Sequence, residues 1–154
     1  MLPCPSASRS RSLSSYQFDK VFSVAEANEL IPRLEVALCE IQAKARELRG
    51  RIADLIKLDP ALAQLPLPQV IERYPQLRES AGQLAQAAEK IETYGCLLKD
   101  IDQGLIDFPW EMEDDRVVFL CWQFGEPAVV AWHSVDAGFA DRQPLPGARK
   151  RYLN

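Results

Sequence analysis

The apolar residues Ile31, Leu34, Leu38, Ile41, Ala45, Leu48, Ile52 and Leu55 follow one another in steps of three and four. That is a 3.5-residue period, the seam of a coiled coil. Ahead of it, Ser23-Val-Ala-Glu26 is a capping box, in which a hydroxyl and a carboxylate satisfy each other's orphan backbone N–H groups, and Phe22 stands at the staple position. The pattern predicts a helix over about residues 24–58, kinked at Pro32 because proline removes one backbone bond. Pro60, Pro66 and Pro68 end it. A second stripe, Val70, Tyr74, Leu77, Ala81, Leu84, Ala88 and Ile91, keeps its register through Pro75, which predicts one kinked helix over about residues 69–94, capped by Gly95. Alanines at 45, 81 and 88 allow close approach, so the expected arrangement is a long antiparallel helical hairpin, coiled-coil-like.

After Gly95 the period falls to about two, and β-branched and aromatic residues take over. Residues 96–101, 105–108, 117–123 and 128–133 are expected to be short strands of a small antiparallel β-meander, followed by a loop over residues 136–146. If Gly125-Glu126 centres the last turn, Phe119 faces Trp132 and Val118 faces His133, and Cys121 lies on the face opposite His133 and Trp122. The fold class is therefore α+β. A single domain is expected over residues 16–148, with helices about 24–58 and 69–94 and a sheet about 96–133. Residues 1–15, rich in Ser and Arg and lacking acids, are expected to be a disordered leader, and residues 149–154 a basic tail.

Composition narrows the function classes. The 154 residues suit one soluble domain, and no apolar run approaches the roughly 20 residues of a membrane-spanning helix. The formal charge of −4 conceals an uneven distribution: without the five basic residues of the two ends, 13 basic face 22 acidic residues over 16–148, a charge of −9. Such a body repels phosphate backbones, so nucleic acid is not an expected partner, and with no spanning apolar run neither is a membrane. Cys4, Cys39, Cys96 and Cys121 form no C-x-x-C pair. Cys39 and Cys121 are expected to be small buried or half-buried hydrophobes in a reducing compartment, the cytoplasm.

No Gly-rich phosphate loop, Walker lysine loop or G-x-S-x-G elbow occurs, and the chain has one histidine. Ser134 adjoins His133 but points to the other face of a strand, so the two make no nucleophile–base pair; the expected register excludes Cys121 with His133 as well. What remains is a polar cluster on the β part. His133 ends a strand, Glu126 sits in the preceding turn, Asp136 and Arg142 lie in the following loop, and Asp100 and Asp107 flank the first hairpin and could face each other across it. Around Trp122 these groups could bind a small anion, a polar metabolite or a divalent cation. The alternative is scaffolding, with Arg142 tied to Asp107 or Asp100 and His133 bonded to a backbone carbonyl. The acidic run at residues 111–115 lacks the glycine and spacing of a calcium loop and is expected to be a solvated hairpin tip.

Phe22-Ser-Val-Ala-Glu-Ala-Asn-Glu-Leu-Ile-Pro32, Lys99-Asp100, Gly104-Leu-Ile-Asp-Phe-Pro109, Cys121-Trp122, Gly125-Glu-Pro127, Trp132-His133 and Gly138-Phe-Ala-Asp-Arg142-Gln-Pro144 together resemble the bacterial family of domain of unknown function 2203, over roughly residues 18–146. The resemblance implies a small soluble protein and brings no established activity. Its motif residues coincide with Asp100, Asp107, Trp122, Glu126, His133 and Arg142. The leading expectation is a binding or scaffolding protein that acts through its helices on a protein partner or a second copy, as a homodimer, with no cofactor and no catalytic residue assigned. The alternative is a small-molecule- or metal-dependent activity at the cluster around His133, whose candidate ligands are Asp100, Asp107, Trp122, Glu126, His133, Asp136 and Arg142.

Overall fold

A computed structural model describes residues 18–146. The expected leader and tail lie outside the described residues. Helix α1 (Val24–Leu58) opens on the capping box, with the Glu26 amide donating to Ser23 Oγ at 3.1 Å and the Ser23 amide to Glu26 Oε1 at 3.0 Å. It runs unbroken past Pro32 for 35 residues, about 52 Å at about 1.5 Å each. The stripe from Ile31 to Leu48 is buried within the chain, while Cys39 is exposed, contrary to its expected burial.

The second arm departs from the expectation. Instead of one kinked helix there are α2 (Leu67–Arg73), a 3-10 turn (Pro75–Leu77) and α3 (Arg78–Thr93), so one long helix is followed by short ones, and α3 packs on α1 in place of a continuous second arm. The break is at Tyr74, whose φ −126° and ψ 78° are non-helical, because a following proline crowds the helical conformation of the residue before it. The Tyr74 hydroxyl and Arg73 Nε both reach Asp59 Oδ2 at 3.1 Å, fastening this corner to the end of α1. Leu77 nevertheless arrives buried, beside Leu48, Leu62 and Val70, in a core separate from the larger one formed by α1, α3 and the sheet.

The five-stranded antiparallel sheet has the order β1 (Leu97–Asp100), β2 (Leu105–Glu111), β3 (Val117–Gln123), β4 (Ala131–His133), β5 (Gln143–Pro144). The strand β5 replaces part of the expected terminal loop, and its edge is extended by the Leu145 amide donating to the Val130 carbonyl at 2.8 Å. Ile106, Phe108, Leu120 and Trp122 fill the large core against Leu34, Leu38, Ile41 and Ile91. Asp107 pairs with Cys121, and Phe119 with His133, on the opposite face. The β3–β4 register is thus displaced by one residue from the expected Phe119–Trp132 pairing. The connection leaves Val129 and Val130 outside the strand, where Asn28 Oδ1 of α1 accepts the Val129 amide at 2.7 Å. A slip of one residue exchanges the faces of a strand, so His133 shares a face with Cys121 and not with Trp122. No helix among the described residues is long and apolar enough to cross a membrane.

Candidate functional site

On the face away from α1, neighbouring strands set Asp107 and His133 side by side with Nε2 to Oδ2 at 3.0 Å, their side chains 4% (His133) and 6% (Asp107) exposed. The other ring nitrogen, Nδ1, lies 2.8 Å from the Ser134 carbonyl oxygen. A carbonyl only accepts, so Nδ1 carries a proton. A carboxyl oxygen 3.0 Å from Nε2 requires a second proton between them, on the ring or on the carboxyl. Burial pushes the Asp107 carboxyl above its ordinary range, opposed by the charge and hydrogen bond of His133 and by the charge of Lys99. Lys99 Nζ stands 4.0 Å from Asp107 Oδ2 and 5.0 Å from the centre of the Phe119 ring.

These groups line a partly open cavity of about 220 Å³, bordered by Val135, Ala137, Gly138 and Phe139 of the loop after β4. The loop is held down by Arg142, whose Nη1 meets Glu126 Oε1 at 2.6 Å while its guanidinium lies 4.3 Å from the Phe139 ring centre. Glu126 is itself fixed, since its Oε2 accepts the Gln123 amide at 2.9 Å. A more open cleft of about 500 Å³ lies between α1, α3 and β1, where the exposed Arg49 and Asp102 pair with each other at 2.6 Å.

The seven expected residues therefore divide. Asp107 and His133 meet. Glu126 and Arg142 form a separate partly buried pair, so Arg142 reaches neither Asp107 nor Asp100. Trp122 is on the core face and donates from Nε1 to the Glu126 carbonyl at 2.9 Å. Asp100 does not face Asp107, which pairs with Leu97; its Oδ1 accepts the Gln103 amide at 2.8 Å within the hairpin turn. Asp136 is exposed on the loop and does not line the cavity. Cys121 shares the face of His133, yet burial pushes its thiol up to about 12, which leaves it protonated and poorly nucleophilic at neutral pH. Among the described residues no three His, Cys, Asp or Glu side chains are grouped to hold a metal ion. Sequence reasoning missed Lys99, Phe119 and Phe139. Strand alternation places Lys99 and Phe119 beside Asp107 and His133 only once the register is known; Lys99 and Gly138-Phe139 already stood in the resemblance motifs.

Comparison with known proteins gives a family: the model of the family described as Uncharacterized conserved protein (DUF2203) matches residues 20–145. No curated protein and no solved structure matches the chain.

Proposed function

We propose, from the premise that the chain belongs to the DUF2203 family, that its function is to bind a small molecule in the cavity beneath the loop after β4. The observation that carries this is a buried Asp107–His133 pair that, instead of being packed over, lines open space together with Lys99 and two aromatic rings. Cavities close to this composition, mostly apolar with a few convergent polar groups, are the usual form of ligand sites. At about 220 Å³ it falls below the roughly 300–1,000 Å³ of drug-sized ligands, so the ligand is fragment-sized. Binding is favoured over catalysis because both nitrogens of His133 already have partners, and a general base must be within reach of the proton it removes.

Amide chemical shifts of the labelled protein, titrated with a fragment library, test the reading. Shifts should gather at Lys99, Asp107, Phe119, His133 and residues 135–139, and Ala137→Phe, which fills the cavity, should suppress them. A library that leaves those amides unmoved overturns it.

The competing reading is association through the helices, with a second copy or another protein. Its support is the exposure of Val36 and Leu58 on α1. Those two stand 22 positions apart and form no contiguous patch, whereas the heptad stripe from Ile31 to Leu48 is taken up by the chain's own core.

A further inference from the structure

We infer that the cavity takes a monoanionic hydroxy acid, with its acid group on Lys99, its hydroxyl donated to Asp107 Oδ1, and an apolar remainder against Phe119 and Phe139. This rests on the reading of the cavity as a ligand site and adds the chemical class.

Nδ1 of His133 must donate to the Ser134 carbonyl, so the proton between Nε2 and Asp107 Oδ2 belongs either to the ring or to the carboxyl. In the first case imidazolium faces carboxylate, and in the second neutral imidazole faces carboxylic acid. The net charge of the pair is zero both times. Asp107 Oδ1 is an acceptor both times, as a carboxylate oxygen or as the carbonyl oxygen of the acid.

With that pair neutral overall, Lys99, 46% exposed and 4.0 Å from Asp107 Oδ2, leaves one positive charge in excess among the described residues that line the cavity. Arg142, which closes the loop, is matched by Glu126 at 2.6 Å. A cationic ligand meets Lys99 as a like charge in a partly water-excluded space, and a dianion leaves one charge unmatched; a monoanion balances it. Oδ1 sets the second requirement. It belongs to a side chain 6% exposed, no donor among the described residues reaches it, and it is not sealed from the cavity. Open to the cavity, Oδ1 can be satisfied by solvent, so a ligand that excludes solvent there must bring a hydroxyl or N–H in its place. Half-buried Phe139 gives most of the apolar contact for the remainder, since Phe119 is 4% exposed and already meets Phe18, Lys99 and His133, and the volume limits that remainder to a short aliphatic chain or one ring.

Isothermal titration of the whole protein tests the class with lactate, 2-hydroxyisocaproate and mandelate, each beside its deoxy acid, with mandelamide and 2-amino-1-phenylethanol as the neutral and cationic counterparts. At least one hydroxy acid should bind, and its deoxy acid, mandelamide and the amine should each bind about tenfold more weakly or worse, since a site built to bond a hydroxyl rejects a ligand lacking it. Lys99→Met, at a half-exposed position that keeps its aliphatic stem, should reduce the hydroxy acid to the level of the amide while leaving the amide unchanged. Equal binding of the deoxy acid would remove Asp107 Oδ1 from the account. Preference for the amine would reverse the charge argument. If none of the hydroxy acids binds while neutral or cationic fragments shift the cavity amides, the class is wrong and the ligand site stands. If no fragment of any class shifts them, both fall.

Discussion

Replacing His133 with leucine isolates what the buried pair contributes. The substitution keeps an apolar group of moderate size on β4 but removes the donor to the Ser134 carbonyl and the partner of Asp107 Oδ2, leaving a carboxyl group in a side chain 6% exposed. Breaking a buried pair from one side costs about 3–5 kcal/mol, because the group left behind is desolvated without compensation. Urea denaturation followed by tryptophan fluorescence reads this directly, since Trp110, Trp122 and Trp132 all lie in the sheet. The double variant with Asp107→Leu removes both polar groups and should recover most of the loss, ending within about 1–2 kcal/mol of the natural chain. Acidity supplies a further check. Burial already raises the Asp107 carboxyl, and His133 provides the two largest opposing effects, so its removal raises the carboxyl further. A carboxyl raised in the native state adds stability below its unfolded value, near 3.8, and that stability is lost as pH climbs through the native value. The cost of His133→Leu should therefore be greatest near neutrality and shrink toward pH 4. A single-variant cost under about 1 kcal/mol, or a double variant as unstable as the two singles summed, would refute the account of a desolvated pair.

Three other outcomes can be measured on the same footing. Leu48→Ala, at a buried position in the smaller core, should cost about 2–5 kcal/mol, and its thermal midpoint should not depend on protein concentration if that core is filled by the chain itself. Gly104→Ala should destabilise by about 1–3 kcal/mol in urea denaturation, because φ is +66° and the added Cβ would sit 2.5 Å from Phe124 Cβ in a tight turn. Arg142→Met should lower overall stability by no more than about 1 kcal/mol, given the partial exposure of its pair with Glu126, yet speed hydrogen exchange at the Asp141 and Leu145 amides that pin the loop.

Local signals carried far into this fold where they were dense. Ser23 and Glu26 announced the start of α1, and the apolar spacing after them placed Leu34, Leu38, Ile41 and Leu48 in the core. Pro32 and Pro75 look alike in the sequence yet behave differently. The first lies in a helix whose buried stripe continues across it, from Ala27 and Ile31 to Leu34 and Leu38, while the second follows a tyrosine that finds a hydrogen bond at Asp59 outside helical geometry. The register survived Pro75 because a 3-10 turn brings Leu77 back to the same side. In the sheet, parity was the obstacle. A two-residue turn at Gly125-Glu126 was the simplest assumption, but Glu126 instead binds the Gln123 amide and Arg142, lengthening the connection and shifting β4 by one place. That shift separated His133 from Trp122 and joined it to Asp107, Phe119 and Lys99. His133 and Asp107 were visible as chemistry; their being neighbours was a long-range fact that no local pattern encodes.

The 35 residues of α1 run through two cores of unequal size, and Leu84 is the residue of α3 packed against both. Cooperativity then depends on how stiffly one helix transmits strain between them. The end around Leu62, Val70 and Leu77 shares no strand with the sheet, so it can melt as its own unit while the Asp107–His133 pair and its cavity remain intact. Circular dichroism, weighted by the helices, would register that event, and the tryptophans would not. A molecule held beneath the loop after β4 would raise the fluorescence midpoint and leave the early helical loss where it was, so the gap between the two curves measures the mechanical independence of the far end.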